Sequence, residues 1–106
     1  MERMKTLHKR CARNGKKILP ETECGCFYCG AIYYGEKITN RIIEPGTSGE
    51  TTARCPVCGI DSVLYGDETL RITPALLREM GDYWFGEAAE EGRKIYQMYK
   101  ESMKEE

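Results

Sequence analysis

Apolar residues recur at helical spacing only toward the end of the chain. Leu76, Leu77, Met80 and Trp84 fall on one face of a helix that Thr73 can cap and Pro74 can open, because proline has no N–H to lose at the first helical position. Gly81 lies within that segment and weakens it by up to ~1 kcal/mol relative to alanine. A second helical segment is predicted over 87–104, with Ala88, Ile95, Met98, Tyr99 and Ser102 or Met103 forming a narrow stripe and Gly86 marking a bend before it. The middle of the chain reads differently, with glycines, threonines and β-branched residues. Ala31–Tyr34 and Ser62–Tyr65 read as short strands and Glu36–Ile43 is ambiguous. Pro45-Gly46-Thr47-Ser48-Gly49 is a turn-rich loop, and Thr51–Arg54 leads on from it. Residues 1–23 show no sustained period, carry the turn signal Asn14-Gly15 and the breaker Pro20, and read as an irregular or partly helical arm that orders late.

Six cysteines change this picture. Four of them sit in two copies of one pattern, Cys26-Phe27-Tyr28-Cys29-Gly30 and Cys55-Pro56-Val57-Cys58-Gly59. A two-residue gap lets the chain turn so that both sulfurs face one ion at ~2.3 Å, and two such turns complete a tetrahedral four-sulfur shell. Glycine after the second ligand can take a positive φ and lets backbone N–H groups approach the thiolates, while Pro56 fixes φ at the turn's entry. Zn2+ is the expected ion, although iron uses the same ligands and differs in colour and redox activity. A shell with no open position is structural, since a catalytic zinc usually keeps a place for water. Cys24-Gly25-Cys26 has the wrong gap, which leaves Cys24 a free thiol. His8 and Cys11 are three residues apart, also a ligand spacing, but a lone histidine in a basic arm reads as solvated.

The fold class that follows is α+β: a basic arm at 1–23, a small zinc ribbon of two knuckles on short antiparallel strands at 24–72, and a helical segment at 73–106 packed on the ribbon or extending from it. Composition excludes little but excludes it clearly. Charged residues make up 31% of the chain and hydrophobic ones 41%, and no apolar run reaches the roughly 18 residues a membrane helix needs. The basic start is followed by no apolar stretch, so a cytoplasmic, reducing location is expected, which favours metal over disulfides. The net charge of −1 hides an uneven distribution, for Met1–Lys17 holds seven Lys or Arg against one Glu.

Cys26-Phe27-Tyr28-Cys29, the run Thr52-Ala53-Arg54-Cys55-Pro56-Val57-Cys58-Gly59-Ile60-Asp61-Ser62-Val63, and Ile72-Thr73-Pro74 through Met80 to Tyr83-Trp84-Phe85 together resemble small zinc-ribbon proteins of bacteria and their phages. The resemblance spans roughly 24–85, and its specific part is the Cys-Pro-x-Cys-Gly-Ile-Asp-Ser-Val segment. It implies a ribbon and a zinc ion, and carries no established activity with it. The chain departs from that pattern in the Pro45–Gly49 loop, the basic arm and the long last helix, where a specialised role is expected. A regulatory or counter-defence factor that binds a bacterial protein fits the resemblance.

The leading expectation is a non-enzymatic binding module, with Ile95, Met98 and Tyr99 as the stripe offered to a protein partner or a second copy of the chain. The alternative is nucleic-acid binding through Arg3, Lys5, Lys9, Arg10, Arg13, Lys16 and Lys17, with phosphates as their partners. An enzyme is the third reading: Asp61, Ser62, Asp67, Glu68 and His8 supply polar groups, but in no spacing that resembles a nucleophile triad, a phosphate loop or paired carboxylates. No small-molecule substrate and no membrane partner are expected.

Overall fold

A computed structural model describes residues 2–104 of the chain. In chain order the elements are α1 (Glu2–His8), β1 (Glu23–Cys26), β2 (Ile32–Tyr34), β3 (Arg41–Ile43), β4 (Thr51–Ala53), β5 (Val63–Tyr65), α2 (Pro74–Phe85) and α3 (Ala89–Lys104), with short 3-10 turns between several of them. Strands β2, β1 and β5 form one antiparallel sheet with β1 in the centre, and β3 and β4 form a separate antiparallel pair. Cys24 faces Tyr33 on one side and Tyr65 on the other, and Cys26 faces Val63. The chain is an α+β domain of small zinc-ribbon-like build, with its four knuckle cysteines clustered.

Alternation along the central sheet divides the interior into two layers. Leu64 belongs to a layer with Met4, Leu7, Cys11, Phe27, Ile72, Leu76, Leu77 and Met80, most of which come from helices. Its neighbour Val63 belongs to the other layer, with Cys24, Cys26, Cys29, Cys55, Ile18, Ile38 and Ala53. The sheet therefore has a helix side and a metal side, and β5 contributes one residue to each.

The N-terminal segment departs from the expected arm. Met4, Leu7 and Cys11 are buried in the helix-side layer, at i, i+3 and i+7, a helical spacing that the interspersed cations obscure in the sequence. Beyond it Asn14 is 1% exposed and ties the two sheets together. Its amide nitrogen donates to Arg10 O at 2.9 Å and Val63 O at 3.0 Å, and its amide oxygen accepts from Ala53 N at 2.9 Å. The residue that reads as a turn signal is a buried bracket between β4 and β5.

Helix α2 starts where its cap and proline place it: the Thr73 hydroxyl accepts from Leu76 N at 3.1 Å, with Pro74 in the first turn. Trp84 leaves the expected covered face and lies half exposed against His8, their ring centroids 4.2 Å apart. The stripe of α3 faces outward, and a different face docks. Ala89 and Gly92 are buried and Tyr96 packs toward the cysteines, whereas Ala88, Ile95, Met98, Tyr99, Ser102 and Met103 are exposed. Two glycines explain how both helices dock. A Cβ on Gly81 would lie 2.5 Å from Phe27 O, and one on Gly92 would lie 2.3 Å from Tyr28 O. The helices touch the backbone of the first knuckle through positions that carry no side chain, so hydropathy gave no sign of the contact.

Candidate metal centre

Each knuckle is built by the same local bonds. Gly30 N donates to Cys26 O at 2.8 Å and Gly59 N to Cys55 O at 2.9 Å, closing two equivalent turns, and each glycine has φ +86°. A side chain would be strained at that φ, so the glycines belong to the turn rather than to the packing. The bases of the turns are pinned by Cys26 N to Ala31 O at 2.9 Å and Cys55 N to Ile60 O at 2.8 Å. Arg54 braces the second knuckle, its Nε 2.9 Å from Gly59 O.

The turns bring four sulfurs together from positions up to 32 residues apart. Sγ of Cys26, Cys29, Cys55 and Cys58 all lie within 4.8 Å of one another. Cys26 Sγ is 3.5 Å from Cys58 Sγ, and Cys29 Sγ is 3.8 Å from Cys55 Sγ. Metal–sulfur bonds of ~2.3 Å in a tetrahedron imply sulfur–sulfur edges of about 3.8 Å, which these separations match. They are far longer than the ~2.05 Å of a disulfide, and all six cysteines are free. Cys26, Cys29 and Cys55 are buried and Cys58 is half-buried.

Electrostatics point the same way. Cys29 N and Val57 N aim at Cys26 Sγ and Cys55 Sγ, at 3.5 and 3.3 Å, and so stabilise charge on sulfur. Without a cation the sulfurs must share protons. Hydrogen bonding to Cys29, Cys55 and Cys58 and then burial hold the Cys26 thiol far above its usual range, while hydrogen bonds from Cys26, Cys29 and Cys58 push Cys55 far below it. A divalent ion removes that competition by favouring thiolate at all four positions. The Tyr33 hydroxyl is buried with no hydrogen-bond partner among the described residues, and burial followed by the charge of the Cys55 sulfur drives its pKa upward. A buried donor facing thiolates is what a fully ionised shell would satisfy. The chemistry of the donors therefore fits a metal ion held by four thiolates, with no protein-derived base or open ligand position among them.

No protein-family profile, curated protein or solved structure matches the chain. The site stands on its own geometry.

Of the other candidates, Cys24 and Cys11 are kept apart from the cluster. Cys24 is fully buried beside Thr22 O, 3.5 Å away, and burial pushes its thiol up to about 12. Cys11 lies in the helix-side layer, donates to His8 O at 2.9 Å, and is pushed up to about 11 by burial and then by the charge of Asp61. His8 is half-buried on Trp84 instead of solvated, and is not a ligand partner of Cys11. The basic residues divide. Arg3 pairs with Glu79 at 2.9 Å and Arg13 approaches Glu50 at 3.9 Å. Arg10 pairs with Asp67 at 3.0 Å and lies over the Tyr65 ring. Lys5, Lys9, Lys16 and Lys17 are exposed and form no ion pair among the described residues. Ile95, Met98 and Tyr99 are all exposed, Met98 at 68%. Tyr99 and Met103 line a groove of about 300 Å³ together with Tyr33, Pro56, Val57 and Tyr96, which joins α3 to the second knuckle. Sequence reasoning missed Tyr33, Tyr96 and the groove, because each depends on where α3 docks.

Proposed function

We propose that the chain is a non-enzymatic zinc-ribbon module whose ion is structural and whose last helix engages a protein partner. The observation that carries the partner reading is the outer face of α3. Ile95, Met98, Tyr99 and Met103 are exposed in one continuous strip, and the groove beneath Tyr99 and Met103 opens beside the second knuckle. Exposed apolar strips on a helix are recurrent docking surfaces. Zinc supports this role by fixing the knuckle that forms the groove's wall through Pro56 and Val57. A partner helix or extended segment laid along α3 gains apolar contact without any change in the ribbon. A bacterial or phage regulatory or counter-defence role is compatible with such a surface.

The test compares zinc-loaded wild type with Met98→Asp, an exposed position whose change leaves the core untouched. Cross-linking followed by mass spectrometry should detect a partner, or a second copy, joined through α3 in the wild type and lost in Met98→Asp at unchanged zinc content. The same cross-links in both proteins would overturn the partner reading.

Nucleic-acid binding keeps one supporting observation, the four exposed lysines that pair with nothing among the described residues. Against it, Arg3, Arg10 and Arg13 are engaged with acids of their own chain. Salt-dependent binding of labelled DNA or RNA, lost in a Lys16→Glu, Lys17→Glu double variant, would restore it.

A further inference from the structure

A second cavity, of about 320 Å³, shares no lining residue with the α3 groove. It forms where the N-terminal segment, the first knuckle, the loop after the second knuckle and the end of α2 meet. Its walls include four rings, of His8, Phe27, Trp84 and Phe85. They form a connected set: His8 lies 4.2 Å from Trp84 and 6.0 Å from Phe27, and Phe27 lies 5.7 Å from Phe85, centroid to centroid. At this cavity sits Asp61, an exposed carboxylate that makes no hydrogen bond and no ion pair among the described residues. The turn-capping role its position after the knuckle suggests is not realised.

We infer that this cavity binds a small alkylammonium group, seated against the aromatic rings and neutralised by Asp61. Three features favour a cation there over a neutral or anionic ligand. Aromatic faces attract cations through their quadrupole, and more strongly when the cation is weakly hydrated, as methylated ammonium groups are. Trp84 and Phe85 belong to the last turn of α2, whose end carries the negative pole of the helix dipole. Asp61 supplies a full negative charge with no countercharge paired to it, while the Cys11 thiol beside it stays protonated and adds none. The cavity is larger than a trimethylammonium headgroup and admits one, whether from a free molecule such as choline or from a trimethylated lysine side chain.

Trp84 is the sole tryptophan, so its fluorescence reports on the cavity directly. The zinc-loaded full chain is titrated with tetramethylammonium chloride, with sodium chloride as the ionic-strength control. A saturable change in Trp84 emission is expected, at least tenfold weaker in affinity for Asp61→Asn and for 3,3-dimethylbutan-1-ol, the neutral isostere of choline. Circular dichroism and zinc content establish that Asp61→Asn is folded. No saturable change beyond the salt control, or equal affinity for the neutral isostere, or an unaltered affinity in Asp61→Asn, would overturn the inference. Comparing choline with a trimethyllysine peptide then decides between the two sources of the group, the tighter ligand naming it.

Discussion

At the scale of single residues, polar side chains in unexpected places decide more than the apolar ones. Asn14 satisfies two carbonyls and one N–H that would otherwise be buried unpaired. Asn14→Ala is expected to cost about 3 kcal/mol, measured by denaturant unfolding of the metal-loaded protein, because each orphaned group carries its desolvation penalty. Tyr33 gives a different prediction. A Cys55 thiolate would give its partnerless hydroxyl an acceptor once metal is bound, so Tyr33→Phe should release metal to a competing chelator several-fold faster while leaving the metal-free chain no less stable. Asp67 sets an acid response. Hydrogen bonds from Thr69 and Arg10 lower its folded pKa to about 2 from 3.8, so its contribution to stability is present above pH ~4 and is lost as pH falls through 2. Asp67→Asn should flatten that part of the stability-against-pH curve. The roles of Asn14 and Tyr33 are not legible in the sequence, since each depends on residues distant along the chain, 39 residues away for Asn14 and Ala53, whereas Asp67 combines a local partner, Thr69, with the distant Arg10.

Elements were legible where their signals are local. The cap and proline of α2 lie within its own first turn, and the knuckles repeat a five-residue pattern, so both were readable. Strand β1 was not, because Glu23-Cys24-Gly25-Cys26 has none of the usual strand formers, yet it becomes central by filling the gap between β2 and β5. The docked face of α3 was hidden for a related reason: its contacts are Ala89 and Gly92, which carry almost no hydropathy signal. This yields a sharp test of element packing. Gly92→Ala raises intrinsic helix propensity by up to ~1 kcal/mol. It should nonetheless lower stability by roughly 1–2 kcal/mol, since the new methyl meets Tyr28 O and α3 must shift. A rise in melting temperature would show that α3 is not seated on the knuckle.

For the whole molecule, metal and fold are one equilibrium. Three of the four ligands and Val63 share the metal-side layer, and β1 ends on Cys26 while β5 begins on Val63, its pairing partner. Removing the ion leaves buried thiols competing for protons in the middle of that layer. A structural four-thiolate site can supply roughly 10–16 kcal/mol of apparent binding free energy, comparable with the whole stability of a small domain. Chelation is therefore expected to abolish the strand signal in circular dichroism and the dispersion of the amide spectrum, with recovery on adding zinc back. The central strand adds a consequence for biosynthesis. Cys24 pairs with Tyr65, so β1 leaves the ribosome well before the strand that completes its second edge exists. Until Cys58 emerges, the nascent chain holds an incomplete set of ligands and an unpaired strand edge, a state open to oxidation and to aggregation. The yield of correctly assembled protein in a cell should thus follow the supply of the metal during translation more closely than the supply available to the finished chain.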